Sequence, residues 1–142
     1  MATLRPIRAL SIEKARNLWR NANIALKDAN GPPEHISAGR RFDAAYDCAM
    51  NCALLLLECS KLEVEGQGHH REAMQFLVKT LGLKGRTADA APAMTQARNA
   101  TRYDATPLTD EAVVARAIEW ADRILAETEN WLTRHQPLAL KS

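Results

Sequence analysis

The stretch RRFDAAYDCAMNCALLLLECS, residues 40–60, constrains the fold more than any other part of this chain. Phe42, Ala45, Tyr46, Ala49, Cys52, Ala53, Leu56 and Leu57 recur at the three- and four-residue spacing of one helical face. Leu54 and Leu55 widen that face beyond what a surface helix presents. A helix from about Ser37 to Leu62 with so broad an apolar front needs neighbours on several sides, which predicts a central place in a bundle. Its partners are small: aromatics are 5% of the residues against 46% apolar in total, so the interior is built largely from Ala and Leu. That composition argues against an all-β fold.

Four further segments carry helical spacing. The first runs from the N-cap Ser11 to about Ala29 with Ile12, Ala15, Leu18, Trp19, Ala22, Leu26 and Ala29 on one face, and NGPPEH stops it. A short helix from about His70 to Leu81 turns Ala73, Met74, Leu77 and Leu81 inward and ends at Gly82. KGRTADAA then reads as a mobile loop, after which Pro92 opens a helix that holds Met94, Ala97 and Arg98 and reaches about Tyr103. The last helix starts from the N-cap Thr109, with Asp110 and Glu111 complementing its dipole and Val113, Ala117, Trp120, Ala121, Ile124, Thr128 and Trp131 facing inward. No strand pattern competes. The expectation is therefore all-α: one domain over 1–142, an up-and-down antiparallel bundle of about five helices with its core over 10–133 and short flexible tails.

The opening MATLRPIRALS lacks the apolar run of a signal peptide, and no stretch is long enough to span a bilayer, so the expected location is cytoplasmic. Cys48, Cys52 and Cys59 fall along one helical stripe with no Cys-x-x-Cys pair or clustered His beside them; they read as buried thiols, and no metal or other cofactor is expected. The net charge of +2 is too small to diagnose a nucleic-acid binder, but residues 1–41 hold eight Lys or Arg against three acids, whereas residues 105–142 hold four against six. Arg5, Arg8, Arg16, Arg20, Arg40 and Arg41 either extend an RNA-binding surface or form a solvated face.

The chemistry concentrates in RNATRYD, residues 98–104. Arg98 and Arg102 are four apart and project from one side of a helix, with Asn99 adjacent, which makes a candidate phosphate site. Tyr103 lies about 140° around an ideal helix from Arg98, so the two meet only if the helix ends or bends there. The competing reading makes this an architectural cluster, with Arg98 paired to Asp104, Asp43 or Asp47 and Asn99 capping a neighbouring backbone.

RRFDAAYDCAMNCALLLLE, GHHR, ARNATRYD and TDEAVVARAIEWADRIL, in this order over roughly residues 10–133, together resemble a HEPN domain, the higher eukaryote and prokaryote nucleotide-binding family, and within it a small stand-alone bacterial branch with an Arg-Asn-x-x-x-Tyr-Asp signature. The resemblance implies a helical bundle that commonly forms a homodimer with the arginine motifs meeting at a cleft between subunits. It also implies RNA or nucleotide binding, and metal-independent endoribonuclease activity in toxin–antitoxin or defence systems, with a nucleotidyltransferase or antitoxin as partner. Carried over residue by residue, Arg98 matches the family's arginine and Asn99 its polar neighbour. Tyr103 stands where the family's histidine would be. Arg98 and Tyr103 are thus the candidate catalytic pair, and Arg98, Asn99 and Arg102 the candidate phosphate ligands.

The departure has a physical consequence. A metal-free ribonuclease needs groups that exchange protons near ambient pH; histidine at about 6.5 suits this and tyrosine at about 10 does not. The reading is therefore phosphate binding with weak or lost cleavage, with a non-catalytic dimerisation or protein-interaction module as the alternative. His69 and His70 read as caps on the third helix, His35 and His135 as isolated, and Trp19, Trp120 and Trp131 as core or dimer-interface residues.

Overall fold

The computed structural model describes residues 2–66, 68–103 and 110–141, the side chains of 101–103 excepted. Among them are five α-helices: α1 (Ile12–Ala29), α2 (Ala38–Cys59), α3 (His69–Leu81), α4 (Gly85–Tyr103) and α5 (Glu111–His135). The fold is an all-α bundle, and α2 packs against each of the other four helices. The breadth of its apolar face explains this: Phe42, Tyr46, Cys48, Cys52, Leu55, Leu56 and Leu57 are all essentially inaccessible. Leu54 is the exception among the leucines and remains exposed.

Two interior clusters form around α2. The larger joins it to α1, α3, α4 and α5 through such residues as Leu26, Phe42, Leu56, Leu77, Ala91, Trp120 and Ile124. The smaller gathers Ala15, Leu55, Leu132 and Ala139 at one end. Ala139 belongs to a 3-10 helix, Pro137–Leu140, that packs on α1 and α5, and the Leu138 carbonyl accepts from Arg16 Nε at 2.9 Å.

Helix starts follow local chemistry. Ser11 and Ser37 sit at the N-caps of α1 and α2, accepting from the Lys14 and Arg40 amides respectively. The cap of α5 is Asp110, not Thr109: its carboxylate accepts from the Ala112 amide at 2.9 Å, and Thr109 itself lies outside the described residues. Gly82 closes α3 with φ +64°, a left-handed turn suited to glycine, while Leu83 N–H donates to the Val78 carbonyl.

Three features differ from the sequence expectation. α2 stops at Cys59, because Lys61 adopts φ 58° and the chain reverses into strand β2 (Leu62–Glu65), which pairs antiparallel with β1 (Thr3–Pro6). Each strand has four residues, too few for alternation to stand out against noise. Leu62 and Val64 pack on the core, whereas Glu63 and Glu65 both pair with Arg5. The second difference is α4, which begins at Gly85, so KGRTADAA is mostly helix and Pro92 lies inside it. Alanine-rich composition favours the helix, and Trp120 Nε1 anchors it by donating to the Thr87 carbonyl at 3.2 Å. The third is Arg41, read as part of a basic surface but 5% exposed. Its Nε donates to the Ile36 carbonyl at 3.0 Å and its Nη2 to both oxygens of Glu111 at 2.5 and 2.9 Å, tying the start of α2 to the start of α5.

Candidate functional site

Helix α4 positions the site, and its neighbours α2 and α3 complete it. Arg98 stands five residues before the end of α4 and turns inward, leaving 12% of its side chain exposed. Its guanidinium carbon lies 4.8 Å from the centroid of the Tyr46 ring, a cation–π geometry. Nη2 stands 3.9 Å from Asp47 Oδ1, and Nη1 is 3.5 Å from His70 Nδ1. Tyr46, Asp47 and His70 thus bring α2 and α3 to one arginine of α4.

Second contacts hold this cluster in place. Thr95, one turn before Arg98, donates to the Ala91 carbonyl at 3.0 Å, so its oxygen accepts from the Tyr46 hydroxyl at 3.2 Å. Burial pushes the Tyr46 hydroxyl above the usual phenol range, against the opposing effects of the Thr95 hydrogen bond and the nearby Arg98 charge, so it remains a neutral donor. The Tyr46 and His70 rings stack at 6.5 Å, and His69 meets His70 edge-on at 4.4 Å. Gly68 is the N-cap residue of α3, and His69 and His70 are its first two residues. Their rings face one another, and His70 faces Arg98 and Tyr46.

Asn99 projects about 100° further round α4. It is exposed and stands at one end of a groove of about 820 Å³ between α3 and α4. Met74 and Ala91 form the buried floor, and Arg71, Lys79 and Lys84 are exposed at the rim. No carboxylate and no aromatic ring lines the groove among the described residues.

The sequence-predicted residues therefore separate. Arg98 and Asn99 are neighbours in the chain but serve the interhelical cluster and the groove respectively. Arg102 and Tyr103 occupy the last turn of α4 with side chains outside the described residues, and Asp104 lies outside them altogether. Of the three acids considered as partners for Arg98, Asp47 is within ion-pair distance. His70, absent from the predicted site, is the addition; no spacing rule links two positions 28 residues apart.

Four of the six arginines in residues 1–41 make described side-chain contacts. Arg5 pairs with Glu63 and Glu65, Arg16 with the Leu138 carbonyl, Arg20 with Asn17 and Arg41 with Glu111. Trp120 is buried, Trp19 and Trp131 are half-buried, and His135, taken as isolated, lies 4.7 Å from the Trp131 ring centroid. Cys48 and Cys52 are buried and Cys59 half-buried. No helix among the described residues is long and apolar enough to cross a membrane. No family model matches the chain, and no curated protein matches it.

Proposed function

We propose that the chain is a HEPN-like module that binds RNA or nucleotide phosphate at the Arg98 end of α4, with metal-independent endoribonuclease activity weak or lost. The observation that carries this reading is the 3.5 Å approach of His70 Nδ1 to Arg98 Nη1. Cleavage of RNA by its own 2′-hydroxyl needs a proton acceptor and a cation beside the developing phosphorane charge. His70 supplies from α3 the side-chain type that the Arg98 motif lacks along α4, while Asn99 offers an exposed amide one residue on. Arg102 adds a second cation and Tyr103 a hydroxyl in this reading.

The same geometry limits turnover. Arg98 is largely covered, and Asp47 offsets part of its charge, so a scissile phosphate meets a partly neutralised arginine. In this reading the protein acts in the cytoplasm as a homodimer within a toxin–antitoxin or defence system, alongside a nucleotidyltransferase or antitoxin. The test is incubation of the purified full chain with mixed RNA in a chelator, beside Arg98→Lys and His70→Ala. Slow cleavage or binding without cleavage is expected for the native chain, with both variants impaired. RNA affinity and cleavage untouched by either substitution would overturn the proposal.

A second reading is favoured by the burial of Arg98 itself. An arginine 12% exposed, stacked on Tyr46 and near Asp47, serves equally to fix helix packing in a non-catalytic interaction module. In that case Arg98→Lys lowers thermal stability and leaves RNA affinity unchanged.

A further inference from the structure

The groove between α3 and α4 adjoins the Arg98 cluster, with Thr95 common to both, but its floor is apolar. Its α3 wall presents Arg71, Met74, Val78 and Lys79, and its α4 wall Ala88, Ala91, Thr95 and Asn99. Arg71, Met74 and Val78 on α3, and the four residues on α4, advance by three or four, and Lys79 stands next to Val78, so each wall is one continuous helical face. The span from residue 71 to Gly82, at 1.5 Å per residue, is roughly 16 Å, or three helical turns. Two helical walls over an apolar floor form a seat for a third helix.

Charge and shape narrow the occupant. The rim offers Arg71 and Lys79, two turns apart on α3, and Lys84 beyond its end, with no acid facing them among the lining residues. A second copy of this chain laid groove to groove would oppose like charges, which disfavours self-association here. A nucleic acid finds no aromatic platform in the lining and would cover an apolar floor with phosphate. An amphipathic helix with apolar residues at i, i+3 or i+4 and i+7, flanked by glutamate or aspartate, satisfies both floor and rim.

We infer that the α3–α4 groove docks an acidic amphipathic helix of a partner protein, about three turns long. The inference does not require phosphate chemistry at Arg98, although Thr95 and Asn99 line the groove and also adjoin the Arg98 site.

The test uses the full chain and a fluorescein-labelled helical peptide of about four turns, with a leucine stripe flanked by glutamates. A lysine-flanked peptide, a scrambled peptide and a short single-stranded RNA serve as comparisons. Anisotropy titration is expected to give saturable binding of the glutamate-flanked peptide, at least tenfold weaker for the scrambled one. The double reversal Arg71→Glu with Lys79→Glu is expected to weaken that binding at least tenfold and to admit the lysine-flanked peptide. Methionine methyl NMR locates the contact: the Met74 signal shifts on peptide addition, and that of Met50, which lies outside the groove, does not. No binding of the glutamate-flanked peptide at millimolar concentration, binding insensitive to the reversal, a Met74 signal that does not move, or an RNA that itself shifts the Met74 signal and loses affinity in the Arg71→Glu, Lys79→Glu variant would each overturn the inference.

Discussion

The Arg98 guanidinium lies over the face of the Tyr46 ring, with 4.8 Å between its central carbon and the ring centroid. An arginine from α4 thus rests on an aromatic ring from α2 that is itself held by Thr95 of α4. The contact makes Arg98 part of the packing whatever else it does. Arg98→Ala removes the cation–π contact and the packing of the stem, at a cost of about 1–3 kcal/mol. Calorimetry should record a fall in Tm of roughly 3–12 °C. Arg98→Lys should recover part of that loss but not the planar stacking.

The Arg41–Glu111 pair should write itself into the acid limb of the stability profile. Glu111 is held below the ordinary carboxylate range chiefly by its hydrogen bond from Arg41. A carboxyl with a lowered folded pKa stabilises above its unfolded pKa and loses that contribution as pH falls through the folded one. The pair's contribution to Tm should therefore be full above about pH 5 and be lost as the pH falls through the ordinary carboxylate range and below it. Glu111→Gln should lower Tm at neutral pH, and its difference from the native chain should shrink as the pH falls. A difference that is the same at neutral and acid pH would rule out the pair as the source.

Thiol reactivity offers a separate check on the central helix. Burial, with a smaller contribution from the Glu58 charge, pushes the Cys59 thiol up to about 11, and Cys48, hydrogen-bonded with Cys52 and buried, is pushed up as well. Alkylation of the native protein by iodoacetamide near pH 8 should be slow at all three cysteines and become rapid on unfolding. Cys59, the half-buried one, should react first.

The indole of Trp120 on α5 ties down the N-terminal half of α4 through a hydrogen bond to the Thr87 carbonyl, alongside the burial of Ala91. Trp120→Phe keeps most of the buried ring but removes the donor to the Thr87 carbonyl. The expected destabilisation is about 1–2 kcal/mol. Hydrogen exchange should accelerate at residues 85–92 more than in α1, and uniform acceleration would show that the indole does not anchor this segment.

How far the sequence disclosed the fold depended on the length of each signal. The face of α2 extends over six turns, so its period and central place were legible from Phe42 to Leu57. The two strands are four residues each and gave no such signal, and TADAAP hid a helix behind its proline, although alanines around Pro92 favoured one. At the site, Arg98 and Asn99 were within reach of helical spacing, and Asp47 was one of three acids considered as the partner of Arg98. His70 was not, because its approach to Arg98 follows from how α3 docks against α4. Arg41 was misplaced for the same reason: a charged residue in a basic stretch looks solvated until its partner, 70 residues on, is known.

The central claim is that the Arg98 end of α4 holds RNA phosphate. The most direct measurement is anisotropy of a labelled single-stranded RNA titrated with the full chain in a chelator at low and moderate salt, with Asn99→Ala and His70→Ala alongside. The account predicts saturable binding that weakens as salt rises, and a loss of at least severalfold in each variant at unchanged Tm. RNA binding absent at low salt, or present and indifferent to both substitutions, would contradict it and leave the cluster as packing.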